Sequence, residues 1–272
     1  MGVKTTLTLA EANTIFSSFK FIKIKPSTDG IIDTTYSVYD AKQSYILKKF
    51  EEATPLQINR QHALLKQLHA SHLSVPELLA STAPWYLYTK LPGETPSTLS
   101  YLQTQNLAKA IAKMHISTRK QRREEALFNP LKIKQELRQL KRSAFYHYKK
   151  LSYLQNIKLE NHGIIHGDIF PDNLLFSGHR VSLIDFIDAD DGNFSFDLGV
   201  CAMACTETLP KLQILRRCYN RTSPQKTTLT SLLEMMQTAA DFYTLKRLLS
   251  QQNTHSKQVL QKKMRRLKRA LS

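Results

Sequence analysis

The sequence is poor in acid, glycine and cysteine, and each shortage excludes something. Only 22 Asp and Glu face 39 Lys and Arg, a formal net charge of +17. A polycationic ligand that needs an acid-lined pocket is therefore disfavoured. A nucleic acid, an anionic surface and an anionic small ligand such as a nucleotide all stay compatible. The eight glycines include no G-x-G-x-x-G and no G-x-x-x-x-G-K-[ST], so neither glycine-rich phosphate loop is written in the chain. Cys201, Cys205 and Cys218 are odd in number and lack C-x-x-C spacing, which points to reduced core thiols rather than a disulfide framework or a metal knuckle. No apolar run approaches the ~20 residues that cross a bilayer. The opening stretch MGVKTTLTLAEANTIF lacks the apolar segment of a secretory signal, so a cytoplasmic location is expected.

What is present is an ordinary globular composition. With 272 residues, 42% hydrophobic and 22% charged, the chain can bury a sizeable core and has room for two lobes. TTYSVYD and QSYILKKF, β-branched and aromatic, read as a hairpin, and WYLYTK as a further strand. LQINRQHALLKQLHASH between them has helical spacing. LPGETPS, with two prolines and a glycine, is the strongest boundary in the chain. Beyond it, LSYLQTQNLAKAIAKMHIS and NPLKIKQELRQLKRSAFYHYKKLSYLQNIK each read as one long amphipathic segment, a hairpin is expected over 174–186 with SGHR as its turn, and helices resume near Phe196. The expected fold class is α+β with two lobes: a small β-rich lobe over 1–91 and a larger, mostly helical lobe over 92–272. That arrangement suits a ligand clamped between lobes.

The stretch HGDIFPDNLLFSGHRVSLIDF, His166 to Phe186, sets Asp168, Asp172, Asn173 and Asp185 inside an apolar run. Carboxylates are poor strand residues and costly to bury unpaired, so something must compensate. Asp168 and Asn173 have four residues between them, the spacing of the catalytic loop in protein-kinase-type phosphoryl transfer. One carboxylate there takes the proton of an attacking hydroxyl. A second carboxylate and an amide oxygen hold magnesium on the nucleotide, and hard oxygen donors suit that ion.

HGDxxxxN followed by LIDF closely resembles the aminoglycoside phosphotransferase and choline kinase superfamily. DTTYSVYD…SYILKKFE, LSVPELL, KLPGETP, LAKAIAKMH and AADFYTLKRLL extend the likeness over nearly the whole chain and resemble the homoserine kinase branch. The resemblance implies a bilobal protein-kinase-like fold, an ATP- and Mg2+-dependent activity, and a small alcohol as acceptor, L-homoserine in that branch. It implies Asp168 as catalytic base, Asn173 and Asp185 as metal ligands, and Lys48 as the lysine that reaches the phosphates. Lys49 would point to the opposite strand face. Thr89, Lys90 and Leu91 would meet adenine through backbone groups. His166 and Asp197 would steady the catalytic loop, Asp197 by accepting backbone N–H groups. Gly30 is the one glycine near the expected phosphate loop, and Gln61 stands where many kinases carry a glutamate partner for the lysine. Asp188, Asp190 and Asp191 are read either as holders of a substrate ammonium group or as a solvated turn.

Homoserine also needs a cation for its carboxylate, and no spacing singles one out. Choline would need an aromatic cage, for which Phe194, Phe196 and Tyr243 are candidate walls. A different class of reading comes from the C-terminus, where the residues from Ser256 onward carry seven basic side chains and no acid. Leu260, Met264, Leu267 and Leu271 recur there at helical steps. They form either a docking stripe or one face of a basic helix that binds nucleic acid or an anionic surface.

Overall fold

The computed structural model describes residues 3–27, 33–123 and 125–250. Gly30 and the basic helix expected beyond Ser256 lie outside the described residues. The chain divides into two compact units, Met1–Gly93 with Ser182–Ile187, and Glu94–Val181 with Asp188–Ser272. Asp185 therefore belongs with the first unit although it lies far along the chain.

The first unit is built on an antiparallel sheet of five strands, ordered β1-β2-β3-β5-β4. Its strands are β1 (Lys23–Pro26), β2 (Thr34–Tyr39), β3 (Ser44–Lys49), β4 (Leu78–Thr82) and β5 (Trp85–Thr89). In β2 and β3 alternate residues are buried, Thr34, Tyr36 and Val38 against Tyr45 and Leu47, as a half-buried sheet requires. Leu47 pairs with Tyr36 on one side and Leu87 on the other. These residues share an apolar cluster with Leu7, Ala12, Phe16 and Trp85. Ala12 comes from α1 (Leu9–Ile15), which the sequence reading did not anticipate. Its Thr8/Glu11 capping box supplies what so short a helix lacks in length. α2 (Pro55–Ala70) begins with a Thr54/Gln57 capping box and Pro55 in its first turn.

The second unit is mostly helical. α3 (Tyr101–Thr118) packs against α7 (Leu209–Thr222), and α6 (Phe194–Cys205) against α8 (Leu229–Leu249). α6 is buried on nearly every side. A Cβ on Gly199 would stand 2.8 Å from Met235, so α8 approaches α6 only because that residue is glycine. The segment expected as one amphipathic helix is instead α4 (Pro130–Ser143), α5 (Phe145–Leu151) and a 3-10 turn, Ser152–Asn156. The break is at Ala144, whose backbone leaves the helical region at φ −153° and ψ 70°. Bending there brings Leu151 and Leu154 into the cluster that already holds Ile133, Leu137 and Leu140. Burial of two further leucines is thus gained for one broken turn.

Short strands carry the remaining chain. β6 (Gly163–Ile165) pairs antiparallel with β9 (Asp190–Gly192). β7 (Leu174–Ser177) and β8 (Arg180–Leu183) form a two-stranded hairpin. Among the described residues no helix is long and apolar enough to cross a membrane.

Candidate active site

Two groups of candidate residues assemble, each within one unit. In the first, Lys48 projects from β3 and its ammonium group lies 2.9 Å from Asp33 Oδ2 and 3.1 Å from Asp185 Oδ1. Lys49 leaves the opposite face and meets Thr5 and Glu51, as the period of two dictates. Burial alone would lower the Lys48 pKa, but Asp185 and Asp33 outweigh it and hold it above the ordinary lysine value. Asp33 was not anticipated. On α2, where many kinases carry a glutamate partner for the lysine, Gln61 is buried and points its amide at the Tyr88 hydroxyl, 3.5 Å away. Burial raises the Tyr88 hydroxyl well above the usual phenol range. Asp33 supplies the carboxylate instead, from the residue just before β2, while its Oδ1 accepts the Glu51 N–H at 3.2 Å.

Asp185 sits in the left-handed backbone region, φ 62°. An aspartate tolerates that conformation better than most side chains, yet it costs energy and is seldom adopted without cause. Its carboxylate is 39% exposed while one oxygen engages Lys48. Thr89 closes β5, exchanging hydrogen bonds with Glu77. Lys90 reaches toward Ser37 and the Tyr39 ring, and Leu91 is half-buried. Among the described residues these three side chains make no hydrogen bond to Lys48, Asp33 or Asp185.

The second group surrounds the loop after β6. Asn173 donates from Nδ2 to Asp168 Oδ2 at 2.7 Å and to the Asp168 carbonyl at 2.9 Å. An ionised carboxylate and a carbonyl can only accept, so Asn173 must turn its amide nitrogen toward Asp168. Its oxygen is thereby directed elsewhere. Gly167 precedes Asp168 at φ 80°, and a Cβ there would stand 2.7 Å from Leu127 Cδ2. The Leu127 methyl can give way, but the positive φ would strain any other side chain, which favours glycine between His166 and Asp168.

Asp197, fully buried on α6, receives the Gly167 N–H on Oδ1 at 2.8 Å and the His166 N–H on Oδ2 at 3.1 Å. His166, also buried, accepts the Asp168 N–H at Nδ1, 3.3 Å away. A further layer lies beneath: His115 of α3 approaches Asp197 Oδ2 at 3.0 Å through Nε2 and the Tyr219 hydroxyl at 2.7 Å through Nδ1. Its ring stacks on Phe194 at 4.1 Å. The sequence carried a faint signal for His115, because with Leu107 and Ile111 it recurs every fourth residue on the buried stripe of α3. The loop is also held from α8, where Tyr243 donates its hydroxyl hydrogen bond to the Gly167 carbonyl. Burial, then Asp168, Asp197 and Asp188, raise that hydroxyl well above the usual phenol range, with Arg247 opposing.

The reading of 188–191 as a solvated turn holds for Asp188 alone, which is exposed. Asp190 and Asp191 form β9, and Asp191 is buried, with Asn161 donating to its Oδ2 at 3.3 Å. Burial raises its carboxyl above the usual range, against the pull of Arg122.

The donors suit a hard divalent cation. Within the first unit Asp185 offers a carboxylate and within the second Asn173 an amide oxygen, while no cluster of three or more His, Cys, Asp and Glu forms a metal cage among the described residues. Magnesium favours such sparse protein ligation because phosphate and water complete its shell.

Comparison with known proteins identifies the family and the fold. Residues 23–218 match a family described as phosphotransferase enzyme family. A homoserine kinase of Parvibaculum lavamentivorans is 41% identical over 70 residues, but the match spans only 23% of this chain and 22% of that protein. A homoserine kinase of Rhodopseudomonas palustris (strain BisA53) is 25% identical over 249 residues, 79% of this chain and 75% of the relative. Among solved structures, an amicoumacin kinase in complex with AMP-PNP, Ca2+ and amicoumacin has a TM-score of 0.66 at 15% identity, covering 94% of this chain and 92% of that one. That likeness establishes the shared kinase-like α+β fold.

Proposed function

This chain belongs to the phosphotransferase enzyme family, and from that premise we propose that it is an ATP-dependent small-molecule kinase whose acceptor is the side-chain hydroxyl of L-homoserine. The observation that carries the kinase reading is the Asp168–Asn173 pair. One residue supplies a carboxylate, the other fixes it at 2.7 Å, and buried Asp197 anchors the loop that bears both. The choice of acceptor is supported by homoserine kinases that match most of the chain at low identity. The shortage of acids disfavours a polycationic acceptor.

In this mechanism Asp168 orients the acceptor hydroxyl and takes its proton as the oxygen attacks the γ-phosphorus. A new P–O bond forms and the bond to the β-phosphate oxygen breaks, releasing ADP. Lys48, protonated through the physiological range, neutralises phosphate charge with its ammonium group. Asp33 and Asp185 keep that group in place. A divalent cation, for which Asn173 Oδ1 and Asp185 would be the protein ligands, supplies electrostatic stabilisation of the phosphates when bound. Thr89 to Leu91 would receive the adenine through backbone groups. The protein's part is mostly positioning and charge placement.

The test is ADP release with Mg·ATP against L-homoserine, choline, ethanolamine, aminoglycosides and simple sugars. Rapid turnover of another alcohol with homoserine inert rejects the acceptor. Asp168→Ala should lose about 10²- to 10⁴-fold in kcat while ATP binding is retained. Undiminished turnover in that variant rejects Asp168 as the base.

A further inference from the structure

The acceptor proposed above carries a carboxylate, and the sequence offered no single cation to meet it. The structure narrows the choice. Tyr243 and Arg247 lie four residues apart on α8, hence on one helix face. The Tyr243 hydroxyl bonds the Gly167 carbonyl, and its ring meets Phe170 edge-on at 5.4 Å. One turn further, the Arg247 guanidinium carbon stands 5.8 Å from the Phe170 ring centre. Phe170 is part of the same loop turn as the proposed base, since its N–H donates to the Asp168 carbonyl at 2.9 Å. The face of α8 that braces the loop therefore also brings a guanidinium beside it.

The neighbouring cation is already committed. Lys246 Nζ lies 2.5 Å from Glu136 Oε1 and beside the Phe242 ring. Arg247, by contrast, is half-buried and pairs with no carboxylate among the described residues. An aromatic face strips part of the water from a guanidinium but does not neutralise it. Its planar fork then favours a two-pronged oxyanion partner. Asp168 and Asp188 reach the Tyr243 hydroxyl electrostatically, as Arg247 does, so acid and base share this neighbourhood. An amino acid that is ammonium at one end and carboxylate at the other matches that mixed polarity.

We infer that Arg247 binds the acceptor's carboxylate and so selects a hydroxylated α-amino acid over a simple amino alcohol; this rests on the acceptor reading given above. Phe170 and Tyr243 hold the guanidinium at the loop. The acceptor's side-chain hydroxyl is thereby left at the Asp168 end.

The experiment compares wild type, Arg247→Met and Arg247→Lys on two acceptors, L-homoserine and 3-amino-1-propanol, which is homoserine without its carboxylate. Arg247→Met should raise KM for homoserine roughly 30- to 5,000-fold, the range for losing one partner of a hydrogen-bonded charge pair. KM for ATP and kcat/KM for 3-amino-1-propanol should not move. Arg247→Lys, which keeps the charge and loses the fork, should fall between, and it carries the test if the Met variant fails to fold. An unchanged KM for homoserine overturns the assignment, and so does an equal loss on both acceptors, which would mark a purely structural arginine. A wild-type enzyme that ignores homoserine and turns over another alcohol overturns the acceptor reading itself, a result separable from either of these.

Discussion

Asp197→Asn probes the anchor of the loop, and its cost follows from the three bonds that end on one buried carboxylate. Asparagine can keep its oxygen over the Gly167 N–H, where the native bond is 2.8 Å. An NH2 group then replaces Oδ2, and donor faces donor at the His166 N–H, 3.1 Å away in the native protein. His115 has a way out. Its Nδ1 shares a 2.7 Å bond with the Tyr219 hydroxyl, and that hydroxyl can rotate from donating to accepting. The ring then changes tautomer and receives the asparagine N–H at Nε2. The His166 N–H has no such escape, so one charge-assisted bond is lost and a buried donor is orphaned, about 1.5–3 kcal/mol. For a protein of this size that lowers the apparent melting temperature by roughly 3–12 °C. Tyr219→Phe strips Nδ1 of its partner whichever tautomer the ring adopts, so its cost should simply add to that of Asp197→Asn. Thermal melts of the four proteins, with kcat measured alongside, decide it. If Asp197→Asn melts with the wild type and retains full turnover, the anchor argument is wrong. If the double variant loses clearly less than the two singles summed, Tyr219 was holding the ring in its native tautomer and the exchange is wrong.

Lys48→Met should raise KM for ATP, lower kcat, and destabilise the protein by about 2 kcal/mol, below the figure for a fully buried pair because Asp185 is 39% exposed; steady-state kinetics and urea unfolding read the two effects. Because the Lys48 pKa is raised, its stabilisation is fully present below the unfolded lysine value near pH ~10.4 and is lost only as pH climbs through the higher folded value; a wild-type advantage over Lys48→Met that already shrinks between neutral pH and about pH 9 would contradict this. Asp191 has a raised folded pKa through burial, so its contribution is complete below about pH 4 and lost as pH rises through the folded value. Asp191→Asn should therefore melt higher than wild type at neutral pH, with the gain vanishing in acid; equal melting at neutral pH would refute it.

Patterns that depend on neighbouring residues were legible in the sequence. The β2–β3 hairpin followed from the β-branched and aromatic runs TTYSVYD and QSYILKKF. The loop that carries Asp168 and Asn173 was legible from their fixed offset, although the hydrogen bond between them was not. The Ala144 break was not legible, since neither glycine nor proline marks it. Its cause is the burial of Leu151 and Leu154 against helices far along the chain. Asp33 was missed for a related reason. Its pairing with Lys48 depends on the register that sets Thr35 opposite Lys48, and 137 residues separate Lys48 from its other partner, Asp185. Spacing located the loop residues but not their supports. His115 and Tyr219 are 104 residues apart and meet only because α3 packs on α7.

The unusual backbone at Asp185 inverts the ordinary ranking of replacements there. Glutamate conserves the charge yet adds a methylene to a residue whose main chain few side chains accept. Asparagine discards the charge and is at home in that conformation. The replacement that looks gentler chemically is thus the harsher one for the polypeptide. A mutational survey of this position would separate folding from chemistry, with asparagine and glycine giving well-folded, inert protein and glutamate giving protein that suffers in both respects.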